Sequence, residues 1–104
     1  MASTKGYLDF VLEQLSELDE VSSRAMMGEY VLYYRGKVFG GIYDDRLLLK
    51  PVTAAVRLMP GAVWELPYDG AKEMLLVDNM DDREFLSELV QSMWEELPEK
   101  KKKK

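Results

Sequence analysis

The carboxylates Asp44-Asp45 and the group Asp78, Asp81 and Asp82 are the residues whose types and spacing come nearest to chemistry in this chain. Oxygen clusters of this kind suit a hard cation, and paired acids suit proton transfer. Their spacing, however, matches no calcium-binding loop. Asp also serves locally as a turn residue and as a helix N-cap, and both roles fit these positions. The sequence has no histidine and no cysteine. That excludes the usual zinc sites, a Ser-His-Asp triad and a Cys-His pair. Any catalysis would rest on Asp, Glu, Lys, Tyr or Arg, or on a cofactor. We assign no catalytic, cofactor-binding or metal residue.

Two further groups offer binding rather than catalysis. Tyr30, Tyr33, Tyr34, Phe39 and Tyr43 could stack on nucleic-acid bases. Strand alternation instead sends about half of them into a core and leaves the rest as cross-strand pairs. Met26, Met27, Gly28 and Tyr30 are the candidate partner contacts, since methionine adapts to many packings. Filling an irregular core edge is the structural alternative for the same residues. Lys100, Lys101, Lys102, Lys103 and Lys104 are the candidate nucleic-acid contacts. No P-loop, dinucleotide fingerprint or helix-turn-helix is present.

Gly40 and Gly41 interrupt an otherwise strand-like run, "GKVFGGIYDD". A glycine pair can cradle a phosphate where a helix N-terminus follows. Here a strand, a turn and another strand follow. The pair therefore reads as close packing, with a neighbouring Tyr lying over one face and a bulge as a further use. The core-facing glycine is expected to resist a side chain, and the outward one to accept it better.

The elements that must position these residues follow from periodicity. Leu8, Val11, Leu12, Leu15 and Leu18 form a helical stripe, predicting a helix over 4–20. "AMMGEYVLYYRG" reads as one strand, and "KVFGGIY" and "RLLLK" as the next two. Arg35-Gly36 and Asp44-Asp45 are the hairpin turns between them, which makes the neighbours antiparallel. "VTAAVRLM" predicts a short helix, and "AVWEL" and "KEMLLVD" two more strands. Phe85, Leu86, Leu89, Val90, Met93, Trp94 and Leu97 make the apolar face of a last helix. Asp81 or Asp82 would cap it, with Glu84 in a box-like position after Asp81. The expected fold is α+β, a mainly antiparallel five-stranded sheet with helices packed on one face. Its order is α-β-β-β-α-β-β-α.

Composition narrows the class. The 104 residues carry a net charge of −5. Without the five terminal lysines, nine basic residues face nineteen acidic ones, for −10. An acidic body repels phosphate backbones, whereas a basic tail attracts them. Residues 1–98 read as one domain and 99–104 as a disordered basic tail. No apolar run approaches the ~20 residues of a membrane span, and no signal peptide is visible. The expected compartment is the cytoplasm.

"MMGEYVLYYRGKVFGGIYDDRLLLK" resembles the signature region of the TfoX N-terminal domain family, also called TfoX/Sxy. The resemblance rests on Met26, Met27, Gly28, Tyr30, Tyr33, Gly36, Phe39, Leu47, Leu49 and Lys50. It continues through the later strands and the last helix. Met27 stands where an aromatic is usual, and Glu29 where a second glycine is common. The resemblance implies an α+β fold in a bacterial cytosolic protein related to regulators of natural competence, hence to transcription regulation. Longer members carry a second, helical domain, so a stand-alone N-terminal domain is expected here. The family supplies no catalytic residues to transfer.

The sequence reading is thus a non-enzymatic regulatory or protein-interaction module, monomeric or homodimeric, with a protein partner, no membrane and no cofactor. One alternative is a nucleic-acid-associated protein that uses Lys100–Lys104. Another is a small-molecule binder or enzyme with a pocket near Gly40 and Gly41.

Overall fold

The computed structural model describes residues 3–26 and 28–97. Met27 and Lys100–Lys104 lie outside the described residues, as does the expected tail, 99–104.

The first helix, α1, spans Lys5–Gln14. Thr4 caps it: the hydroxyl accepts the Tyr7 N–H at 3.2 Å and satisfies an otherwise orphaned donor. The helix ends earlier than its apolar stripe predicts. From Leu15 on, i→i+3 bonds such as Ser16 N–H to Glu13 O and Leu18 N–H to Leu15 O tighten the chain. Leu15 and Leu18 stay buried in that turn.

Six antiparallel strands follow in the sheet, where five were expected. They are β1 (Val21–Met26), β2 (Glu29–Tyr34), β3 (Lys37–Ile42), β4 (Leu47–Leu49), β5 (Trp64–Glu65) and β6 (Met74–Leu76). The spatial order is β1-β2-β3-β4-β6-β5. The extra strand comes from splitting "AMMGEYVLYYRG". Met26 pairs with Glu29, and Gly28 has φ +87°, a left-handed value that glycine adopts without strain. The stretch "VSSR", where the helical periodicity of the N-terminal segment stops, belongs to β1. An edge strand needs only its neighbour's ladder, not a buried side-chain face. The other two turns stand where the sequence places them. Arg35 and Gly36 both have positive φ, as do Asp44 and Asp45, the geometry that fits the twist of a hairpin.

The second helix, α2 (Thr53–Leu58), and the third, α3 (Arg83–Trp94), complete the described chain. Asp82 caps α3 by accepting the Phe85 N–H at 3.0 Å. The residue three beyond the cap is therefore Phe85, so the box between Asp81 and Glu84 does not form. Glu96, beyond the end of α3, reaches the Ala54 N–H of α2 at 3.4 Å. Ala54 and Ala55 are buried, and their small size lets the two helices approach.

The register shows how the core is built. Leu32, Gly40, Leu49 and Leu75 lie in one row across β2, β3, β4 and β6. The leucines of that row cluster with Leu8, Val11 and Leu15 of the N-terminal segment, Ala54 and Ala55 of α2, and Leu86, Leu89, Val90 and Met93 of α3. Helices therefore cover this face. Each fully buried leucine contributes roughly 1.5–3 kcal/mol. The opposite face carries Val31, Gly41, Leu48 and Leu76 in the adjacent row. The pairing of β2 with β3 slips between Leu32 and Tyr33, so Phe39 is an extra residue, a bulge beside the glycine pair.

Candidate functional site

The β1 edge is the most open secondary-structure element, and its chemistry follows from the ladder. Arg35 N–H bonds Glu20 O at 3.0 Å, so Glu20 and Arg35 form a hydrogen-bonded pair. Antiparallel ladders alternate, which turns the backbone groups of Ser22, Arg24 and Met26 toward β2. The N–H and C=O groups of Val21, Ser23 and Ala25 point to the free edge. Every side chain from Ser22 to Met26 is exposed. Ser22, Ser23, Arg24, Tyr33 and Gly36 line a cleft of about 270 Å³ along this edge.

The candidate partner contacts are only partly brought together here. Met26 is 49% exposed and shares a sheet face with Glu29, its cross-strand neighbour. Tyr30, one residue on from Glu29, lies on the helix-covered face and packs against the core. Met26 and Tyr30 therefore face opposite sides of the sheet. Gly28 is exposed at the turn between their strands, and Met27 lies outside the described residues.

The acidic pair Asp44-Asp45 is held by the N-terminal segment. Asp45 Oδ1 accepts the Thr4 N–H at 2.8 Å. Glu29 Oε1 accepts from the Ser3 hydroxyl at 2.7 Å and from the Asp44 N–H at 3.2 Å. The Ser3 hydroxyl in turn accepts the Asp45 N–H at 3.2 Å. This network tethers the start of α1 to the β3–β4 hairpin. Asp78, Asp81, Asp82 and Glu84 line a cleft at the start of α3, where Asp82 serves as its cap. No group of three or more metal-ligating side chains occurs among the described residues.

The space beside the glycine pair is taken up by the protein's own atoms. A Cβ on Gly40 would run into the Leu48 carbonyl oxygen and come within 2.9 Å of Leu49 Cδ2. On Gly41 it would meet Tyr30 O at 2.7 Å and the Tyr43 ring at 2.7 Å. Neither position has positive φ, so close approach and not backbone freedom selects glycine. The expectation that a Tyr ring lies over the bare backbone holds. The expectation that the outward glycine tolerates a side chain better meets an obstacle, because Gly41 is walled in too.

Tyr43 is half-buried, and its ring centroid lies 6.1 Å from that of Tyr68. Burial, followed by the nearby Tyr68 and Glu29, pushes its phenol above the usual tyrosine value. Tyr7 is raised as well, by burial first and then by Asp45. Beside Tyr43, Arg46 pairs with Glu65 and donates from Nε to Tyr43 O at 3.1 Å. That clamp ties the β3–β4 hairpin to β5. Among the aromatics first considered for stacking, Tyr34 and Phe39 are buried in the core, Tyr30 packs against it, and Tyr33 sits opposite Val38 on the other face.

Sequence reasoning missed Ser22, Ser23 and Arg24 as part of an accessible edge. No local signal was available, because the burial of β1 does not alternate and Ser22 to Met26 are all exposed.

Comparison with known proteins gives two matches. The family model of the TfoX N-terminal domain matches residues 13–96. An uncharacterised 12.7 kDa protein in the trpE 5′ region of Spirochaeta aurantia is 36% identical over 80 residues, covering 77% of this chain and 70% of that one. No solved structure matches.

Proposed function

We propose, from the premise that this chain belongs to the TfoX N-terminal domain family, that it is a non-enzymatic protein-interaction module of bacterial competence-regulator type, working in the cytoplasm. The observation that carries the reading is the outer edge of β1, which pairs with no other strand among the described residues. It offers unpaired backbone donors and acceptors at Val21, Ser23 and Ala25, with exposed side chains on both sides. An extended segment added to such an edge gains main-chain hydrogen bonds, and the side chains beside it set specificity. The interaction would bias transcription through the partner, without chemistry at this chain. Supporting this, the glycine pair is packed shut and the Asp45 carboxylate is engaged in the tether to α1. No helix among the described residues is long and apolar enough to cross a membrane.

The test is cross-linking capture in native host extract with three proteins: wild type, Ser23→Pro, and a chain lacking Lys100–Lys104. Proline at position 23 removes an outward N–H that β2 does not use. The expected result is a partner held by wild type and by the tail deletion but lost from Ser23→Pro. Equal capture by wild type and Ser23→Pro would remove the edge from the mechanism. Loss on tail deletion alone would favour binding through the lysines.

A further inference from the structure

The two edges of the sheet are treated differently. β5 is two residues long, and Pro60 and Pro67 flank it. Short length and proline are the usual ways of blunting an edge. β1 has six residues, no proline and no lysine, and the bulge in this sheet lies between β2 and β3 instead. Its free backbone groups are evenly spaced at Val21, Ser23 and Ala25. That spacing is symmetric about Ser23.

We propose that β1 pairs with β1 of a second copy of this chain, antiparallel and centred on Ser23, to give one continuous sheet through a two-fold axis. This rests on the reading of β1 as an interaction edge and names its partner.

Three central registers keep the covered faces of both copies on the same side, centred on Ser22, Ser23 or Arg24. The Ser22-centred register pairs Val21 with Ser23 and leaves the free groups of Ala25 outside the ladder of 21, 23 and 25. The Arg24-centred register sets Arg24 directly against Arg24 of the second copy, and like charges in that position are destabilising. The Ser23-centred register avoids this. It opposes Arg24 to Ser22 of the second copy, with the second copy's Glu20 on one diagonal and its Arg24 on the other, so that like charges are no longer directly opposed and an opposite charge lies within reach of a long side chain. Arg24 and Glu20 are both exposed, and each occurs once per copy, so the complementary contact forms twice. On the helix-covered face, Val21 meets Ala25 of the second copy. In the ladder, Ser23 exchanges both bonds with Ser23, and Val21 exchanges both with Ala25 at each end. All free groups of 21, 23 and 25 are satisfied in one arrangement. A two-fold interface requires this kind of self-complementary patch.

Sedimentation of the purified full chain tests the proposal, over a range of roughly 1–500 µM, since self-association follows mass action. The expected result is a concentration-dependent dimer that Ser23→Pro abolishes while circular dichroism stays native. Two charge variants report on the register even if the proline variant fails to fold. Ser22→Glu places a carboxylate opposite Arg24 and should tighten the dimer by about fivefold, and Ser22→Arg should weaken it by a similar factor. A wild-type chain that stays monomeric throughout overturns the proposal. So does a dimer insensitive to both Ser22 charges. In either case the module reading is judged separately, by whether Ser23→Pro loses a partner in host extract.

Discussion

Lys37 Nζ sits 3.9 Å from the centre of the Trp94 ring and donates a hydrogen bond to that residue's own carbonyl oxygen at 3.1 Å. One ammonium thus meets both the π face and the backbone of the last residue of α3. The carbonyl belongs to the negative end of the helix, where a cation is favourable. The indole answers in kind, donating from Nε1 to Tyr34 O at 3.0 Å. Lys37 and Tyr34 flank the Arg35-Gly36 turn and face each other in the ladder. The β2–β3 hairpin is therefore fastened to the end of α3 at two points. Lys37→Met keeps the stem's packing and removes the charge. It should cost about 1–3 kcal/mol, the range for losing a charged hydrogen bond. Chemical denaturation of wild type and variant measures it, and an unchanged midpoint would show that the ammonium contributes nothing.

Trp94→Ala removes more than the bond. It empties the space between α3 and the hairpin, takes the ring face away from Lys37 Nζ, whose bond to the residue 94 carbonyl remains, and leaves Tyr34 O without its indole donor. A cost of about 3 kcal/mol is expected, the low end for a large aromatic because the ring is only half-buried. Trp94→Phe should recover the packing but not the bond to Tyr34, and so fall between the two. Denaturation curves for the three proteins give the order directly. A loss below about 1 kcal/mol for Trp94→Ala would place the ring among surface groups.

Much of the architecture is legible in the sequence where local chemistry decides it. The Arg35-Gly36 and Asp44-Asp45 turns follow from Gly36, Asp44 and Asp45, which tolerate positive φ, and Leu86, Leu89, Val90 and Met93 announce the buried face of α3 by spacing alone. β1 is not legible for the same reason in reverse. Ser22, Ser23 and Arg24 bury nothing, so no alternation marks the strand, and its existence depends on the ladder offered by β2. The early end of α1 is hidden likewise, because Leu15 and Leu18 keep helical spacing while packing from a turn. The Lys37–Trp94 contact links residues 57 positions apart, beyond any local pattern. The candidate site suffers most. An edge becomes visible only when every other strand has found its neighbour.

Titration of Tyr43 gives a prediction with a definite sign. Its phenol is raised above the usual tyrosine value by burial, then by Tyr68 and Glu29. The folded chain therefore holds this proton more tightly than the unfolded chain. The resulting stabilisation is fully present below the unfolded value of about 10 and is lost as pH rises through the folded value. Unfolding free energy should fall with pH above about 10, and Tyr43→Phe should fall less steeply there. Urea melts across that range decide it. Parallel slopes for wild type and Tyr43→Phe would mean that Tyr43 does not carry the effect. Tyr7, raised by burial and by Asp45, should leave a residual slope of the same sign in the variant.

The glycine pair separates two kinds of obstruction. At Gly40 the new side chain would strike the Leu48 carbonyl oxygen and the Leu49 Cα at 3.0 Å, both backbone of β4. Backbone in the middle of a sheet can yield only by breaking its ladder. At Gly41 the obstacles are Tyr30 O at 2.7 Å and the Tyr43 ring, whose Cζ lies at 2.8 Å. The ring stands on the edge of the hairpin and can rotate away, whereas the carbonyl cannot. Gly40→Ala should therefore destabilise more than Gly41→Ala, with overpacking costs of about 1–3 kcal/mol and Gly40→Ala at or above the top of that range. Adding Tyr43→Ala should relieve part of the Gly41→Ala penalty and none of the Gly40→Ala penalty. A double-mutant cycle by denaturation reads both coupling terms. Equal coupling of Tyr43 to the two glycines would mean that the ring does not select Gly41, and the packing account of the pair would fail on that face.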